Sequence, residues 1–243
     1  MTRAIRLASS ALLAVALAGC GADAKQSVPT TTKPQLTPVR VYFLRAGKVQ
    51  PVRRVVAPTS QLPVAAVAEL VTGPTAAERR DLELQGGVHE IEGVRIVGTV
   101  ARVPGFDRAS LAQIVYTLTQ FPSIHTVEVG VTRYTRADFE DFTPAILVES
   151  PLPEQSVSRP LRVTGTANTF EATFEYELVD SAGKVIAKHF VTATSGSGTR
   201  GTFDFTVEYP AGHSGPGKLV VYESSAKDGS RIHVVEIPLR LTD

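Results

Sequence analysis

The spacing of apolar residues divides the chain into four stretches with different periods. Leu7 to Leu17 is a mostly apolar run of eleven residues, interrupted by Ser9 and Ser10, behind Arg3 and Arg6, the layout of a secretory signal over residues 1–19. From Cys20 to Pro38 apolar residues are sparse and prolines recur, which predicts a semi-extended tether over 20–38. Strand-like and helix-like periods then alternate over about 39–132. Beyond a short linker at 133–143, only a period of two remains, over 144–243. The expected fold class is therefore two domains, an α+β domain with a mixed sheet and helices on one face, followed by an all-β sandwich.

In the first domain, Val39 to Leu44 and Val49 to Val56 are β-branched and aromatic runs that suit strands. The period then changes. Pro63 at a helix start, Val67, Leu70 and Val71 on one face and Gly73-Pro74 as a stop predict a short amphipathic helix. Thr75 and Glu78 have capping-box spacing and predict another turn or two toward Leu84. Val94 to Val103 reads as one strand, and Ile124 to Val131 closes with alternation at Val127, Val129 and Val131. Between them lies the clearest helix. Asp107 is its N-cap, Leu111, Ile114, Val115 and Leu118 form its apolar face, and Pro122 ends it. Gln113, Thr117 and Gln120 make a polar stripe on that helix, expected to face water.

Strands in the second domain are expected at Ala145–Glu149, Leu161–Ala167, Ala172–Val179, Val185–Ala193, Thr202–Tyr209, Leu219–Ser224 and Ile232–Leu241. Ala172, Phe174, Tyr176 and Leu178 alternate with Thr173, Glu175 and Glu177, giving one apolar and one wet face. The apolar phase shifts between Val234 and Val235, which predicts a bulge, and Pro238 argues against full ladder pairing there. Seven short strands in about a hundred residues predict an immunoglobulin-like sandwich, here without its disulfide.

Composition narrows the function. With 25 Lys+Arg against 24 Asp+Glu the net charge is +1, which gives no electrostatic reason to expect nucleic acid as a partner. The single cysteine, Cys20, excludes an intramolecular disulfide and a cysteine metal site. Its context, Leu17-Ala18-Gly19-Cys20, resembles the bacterial lipobox, in which the thiol is acylated and cleavage makes the cysteine the new N-terminus. The resemblance implies lipid attachment at Cys20, a membrane as partner through that lipid, and an extracytoplasmic location. Two or more acyl chains make a durable anchor.

No catalytic constellation stands out. His89, His125, His189, His213 and His233 are scattered, no zinc-ligand pattern or nucleophile elbow occurs, and no cofactor or metal is expected. Ser195-Gly196-Ser197-Gly198 lacks the strand and helix that a nucleophile turn needs. The acidic cluster Asp138, Glu140 and Asp141 alternates with Phe139 and Phe142, whose rings are expected to pack at the domain junction while the charges stay in water.

Val41-Tyr42-Phe43, the helix end Glu69 to Thr75 and above all Gln113 to Pro122 resemble the GerM N-terminal domain of sporulation and germination proteins. The chain departs from that pattern at Val103 to Phe106, which is apolar. Pro144 to Pro151, Val163 to Ala172 and Tyr222 to Ser230 resemble the immunoglobulin-like domain that accompanies the GerM domain in bacterial spore germination. The resemblance implies a non-catalytic binding or scaffolding role in envelope assembly, with a cell-envelope protein as partner. The alternative is binding of cell-wall glycan such as peptidoglycan. That would need exposed aromatic rings, for which Tyr134, Tyr222 and Phe170 are the candidates.

Strand counting brings the connections at 168–171, 194–200 and 225–231 to one end of the sandwich, a natural recognition surface. The candidate partner-binding residues there are Asn168, Thr169, Phe170, Lys227 and Asp228. Phe170 has a competing reading. It shares parity with Ala172, Phe174 and Tyr176, which favours a place on the core face.

Overall fold

The computed structural model describes residues 35–89, 91 and 93–243. The secretory segment, most of the tether and Cys20 lie outside them. The end of the tether lies inside, because strand β1 begins at Thr37 rather than Val39.

β1 (Thr37–Arg45) and β2 (Lys48–Val56) form an antiparallel hairpin of their own. Its turn is Ala46-Gly47, both with positive φ (48° and 75°), as the twist of a tight hairpin requires. α1 (Leu62–Thr72) starts with Pro63 in its first turn and stops at Gly73, which takes φ 80°. α2 (Ala76–Asp81) opens with the expected reciprocal cap between Thr75 and Glu78. A second sheet, separate from the hairpin, has the order β3–β4–β5–β6, with only β4 and β5 parallel. The expected single strand over 94–103 is thus a hairpin, β3 (Arg95–Val97) and β4 (Val100–Val103), because Gly98 turns the chain at φ 59°. Likewise β5 (Thr126–Val129) ends at Gly130, so Val131 leaves the alternation and is 99% exposed at a turn before β6 (Thr132–Tyr134).

α3 (Arg108–Leu118) is capped by Asp107, whose carboxylate accepts the N–H groups of Ala109 and Ser110. All eight residues from Leu111 to Leu118 are buried, including Gln113 and Thr117 of the polar stripe expected to face water, and Gln120 is half-buried. The reason is the outer edge of β1. Tyr42 N–H donates to Thr117 Oγ1 at 3.1 Å, Arg40 N–H donates to Gln120 Oε1 at 2.8 Å, and Gln120 Nε2 donates back to the Arg40 carbonyl. Gln113 Oε1 accepts the N–H of Gly87. Helix side chains thus do for this edge what a neighbouring strand would do, accepting the N–H groups of Arg40 and Tyr42.

The second domain is an eight-stranded sandwich. One sheet has the order β11 (Val185–Thr192), β10 (Thr173–Val179), β13 (Gly215–Ser224), β14 (Arg231–Leu241), β8 (Gln155–Val157), and it faces β12 (Gly201–Val207), β9 (Leu161–Ala167), β7 (Ile146–Ser150). β8 is additional to the seven strands expected. The phase shift in the last strand is a bulge, with Val221 opposite Val235 but Glu223 opposite Ile232, and His233 at φ 53°. Pro238 sits where β14 has not yet met β8, whose pairing begins at Leu239, so its missing N–H costs no ladder bond.

The stretch 133–143 joins the domains as packed structure rather than as a free linker. β6 takes its first residues, and a 3₁₀ turn (Arg136–Phe142) buries Phe139 completely. Both expected rings pack there, Phe142 being half-buried against the same core. The charges stay in contact with water as expected, Asp138 and Asp141 exposed and Glu140 half-buried, and each also has a partner. Asp138 closes a cap with Thr135, Asp141 pairs with Arg108 at 2.7 Å, and Glu140 pairs with Arg200. β7 continues the junction, with Leu147 in the core of the first domain and Ile146 and Val148 in that of the second.

Candidate functional site

Asn168, Thr169 and Phe170 follow β9 at the end of the sandwich nearest the first domain. Asn168 ties three segments together, since its Nδ2 donates to Glu140 Oε1 at 2.8 Å, its Oδ1 accepts the Gly198 N–H at 2.9 Å, and its own N–H donates to the Ala145 carbonyl. Glu140 is held in turn by both arms of Arg200 at 2.8 and 2.9 Å. That guanidinium, with Asn168 helping, holds the Glu140 carboxyl below the usual carboxylate range although burial opposes it.

Thr169 is buried, contrary to its expected role as a partner contact, and its carbonyl accepts the N–H groups of Ala172 and Ser197. Phe170 is 57% exposed. The parity that favoured a core position fails because Glu171 and Ala172 both turn to positive φ (52° and 58°), which breaks the period of two before β10 begins. Ser197 also has positive φ, and its hydroxyl accepts the Glu171 N–H at 3.0 Å. A Cβ on Gly196 would overlap the Ala172 backbone, so this glycine serves close packing of the loop, while Gly198 takes φ 103°. Below the ring, Phe170 N–H donates at 2.9 Å to Glu223, a carboxylate only 9% exposed that also meets His233 Nδ1 at 2.8 Å. Consecutive left-handed residues without glycine persist only where surroundings over-determine them. Here the loop holds an aromatic ring out of the fold.

Lys227 and Asp228 are exposed, as expected, in the β13–β14 turn, where the Asp228 carboxylate caps Ser230. Their hydrogen bonds stay within that turn and do not join them to Phe170. Of the other proposed rings, Tyr222 is 2% exposed, covered by the Arg231 guanidinium at 4.2 Å and the Lys188 ammonium at 5.7 Å, and Tyr134 is half-buried against Phe139. Neither offers a flat face to a sugar. A ring that the sequence reading passed over, Phe190 on β11, is 61% exposed. Its parity with Lys188, one position from the buried Val191, is the signal that points it outward.

A second cluster locks the domains. Arg136 donates to Glu149 Oε1 at 2.8 Å and to Thr119 Oγ1 at 2.8 Å, and its guanidinium lies over the rings of Tyr116 (4.7 Å) and Tyr42 (5.5 Å). The Tyr42 hydroxyl donates to the same Glu149 oxygen. Burial would push the Glu149 carboxyl up, but Arg136, the Tyr42 hydroxyl and Arg40 outweigh it and hold it below its usual range. Burial, and then the Glu149 charge, push the Tyr42 phenol up. Both groups therefore keep one protonation state near neutral pH, as fixed structure rather than acid–base machinery.

Among the described residues no group of three or more His, Cys, Asp or Glu is placed to hold a metal ion, and no helix is long and apolar enough to cross a membrane.

Residues 40–132 match the family described as sporulation and spore germination, and residues 145–230 match the immunoglobulin-like domain of bacterial spore germination. Among solved structures, the tandem GerMN domains of the sporulation protein GerM from Bacillus subtilis are similar at 21% identity, with a TM-score of 0.33. That similarity covers 42% of this chain and 42% of that one. No curated protein matches the chain.

Proposed function

Because this chain belongs to the GerM-like proteins of sporulation and spore germination, we propose that it is a non-catalytic, lipid-anchored scaffold on the extracytoplasmic face of the cell membrane, holding a cell-envelope protein. The observation that carries the binding reading is Phe170, more than half exposed on a loop held by hydrogen bonds at Asn168, at the Phe170 N–H and at Glu171. A ring presented by a loop already ordered before contact loses little entropy on binding, which is what an interface anchor needs. The anchoring reading rests on Cys20 and the residues before it. With Tyr134 and Tyr222 covered, the chain offers a protein pocket better than it offers a glycan stack.

Two substitutions test the two halves. Phe170→Ser removes a ring less than half buried, so the stability loss is about 1 kcal/mol, while in-cell crosslinking to the partner falls by ~30-fold or more if the ring is an anchor. Normal capture by a normally folded variant overturns the binding reading. Cys20→Ala leaves the fold intact and moves the protein out of the detergent phase. A variant that still partitions with membranes refutes the anchor.

A further inference from the structure

A groove of about 890 Å³ lies between the β1–β2 hairpin and the segment running from Glu149 to Ser156, a size typical of ligand sites. Six charged side chains line it, three arginines and three glutamates. Each glutamate has its own arginine. Glu78 is held by Arg54 at 2.5 Å, Glu149 by Arg136 at 2.8 Å and Glu154 by Arg240 at 3.3 Å. Two of the lining cations, Arg40 and Arg53, remain. Neither forms an ion pair within the described residues, and the Arg40 guanidinium has only a long contact, 3.4 Å, to the Glu149 carbonyl.

These two arginines are direct cross-strand partners in the β1–β2 register. Directly opposed residues share one face of the hairpin, with Cβ atoms about 4.5–5.5 Å apart. Like charges so placed work against the hairpin, and an anion between them reverses the sign of the interaction. We propose that this groove binds a phosphate-bearing ligand through Arg40 and Arg53. The choice of phosphate over carboxylate follows from geometry. The acceptor sites of a carboxylate all lie in one plane, whereas the tetrahedral oxygens of a phosphate lie out of one plane and meet forks that approach from two strands. Ser150 and Ser156, also lining the groove, add neutral hydroxyl donors. The site is separate from Phe170, so its fate is independent of the protein-binding reading.

The test uses the full-length chain carrying Cys20→Ala, which has no lipid of its own and needs no detergent, and four probes: inorganic phosphate, a soluble glycerol-phosphate oligomer, an oligoglutamate of equal charge, and vesicles rich in phosphatidylglycerol. The glycerol-phosphate oligomer is expected to bind saturably and to raise the melting temperature. Arg40→Gln and Arg53→Gln should each weaken it about tenfold, the energy of one charged hydrogen-bonding fork, while Lys184→Gln, which removes an equal charge from an exposed turn, leaves binding unchanged. Without probe, Arg53→Gln should melt no lower than the parent, since it relieves the opposed charges. Loss of vesicle binding in the arginine variants, with no response to the soluble oligomer, identifies a lipid headgroup as the phosphate source. The proposal is overturned if oligoglutamate binds as tightly as the phosphate oligomer, if no phosphate probe binds, or if the double Arg→Gln variant binds like the parent.

Discussion

Arg136→Met is the most informative single perturbation of the junction. The methionine keeps apolar bulk over Tyr42 and Tyr116 but removes the positive charge from Glu149 and the bond to Thr119. Stripping one partner from a buried pair costs about 3–5 kcal/mol. The side chains here are 25% and 14% exposed, and Arg40 stays close enough to act on Glu149, so roughly 2–3 kcal/mol is expected, or about 5–10 °C in melting temperature for a unit of this size. The pH dependence makes the cause visible. In the parent, the Glu149 carboxyl lies below its usual range, so its stabilisation is present above its unfolded value of about 4.5 and is lost as pH falls through the folded one. In the variant, burial, already the largest single influence, is no longer outweighed and raises the same carboxyl, so its penalty grows as pH rises. The gap between parent and variant is therefore widest near neutral pH and narrows in acid. Calorimetry at pH 7 and pH 4, with Arg136→Met/Glu149→Leu as the second variant, reads this directly. Removing both charges should recover much of the loss. An equal gap at both pH values, or a double variant no better than the single, would refute the assignment of Arg136 as the counter-charge.

Two further substitutions probe buried polar atoms with opposite expectations. Thr117→Val keeps the shape but leaves the Tyr42 N–H without its acceptor, at a cost of about 1–3 kcal/mol, and should speed hydrogen exchange at the Tyr42 amide. Thr169→Val replaces a hydroxyl that is buried without a hydrogen-bond partner, in an extended backbone (φ −111°, ψ 162°) that suits valine. It should be neutral or stabilise by up to about 1 kcal/mol, and a lower melting temperature would show that the hydroxyl has a partner after all.

The second domain was readable because burial there follows one rule. Strands with one wet face, such as β10, announce themselves by alternation, and even the bulge at His233 shows as a slip of phase. β8 escaped because three residues between Pro153 and Pro160 are too few to display a period. In the first domain two turns at Gly98 and Gly130 were absorbed into neighbouring apolar runs, since valines on either side of a turn look continuous. The stripe Gln113, Thr117 and Gln120 is misread for a deeper reason: polarity is equated with water, whereas Thr117 and Gln120 answer backbone groups of β1 and Gln113 answers Gly87, all far away in sequence. The exposure of Phe170 has the same origin. Two left-handed residues after it reset the phase, and nothing local in Phe-Glu-Ala declares them. Arg40 and Arg53 were invisible as a pair until the register of β1 and β2 set them opposite each other.

β7 belongs to two cores at once, with Leu147 facing one way and Ile146 and Val148 the other. Recombination that shuffles domains cuts between modules, and the natural cut falls between residues 132 and 145, where the two family matches end and begin. A cut before Phe139 would sever that ring from its core, and any cut in the interval would carry Leu147 away on the wrong fragment. A chimera that exchanged either module alone would have to rebuild the wall between them, because Tyr42, Arg136 and Glu149 bond across it.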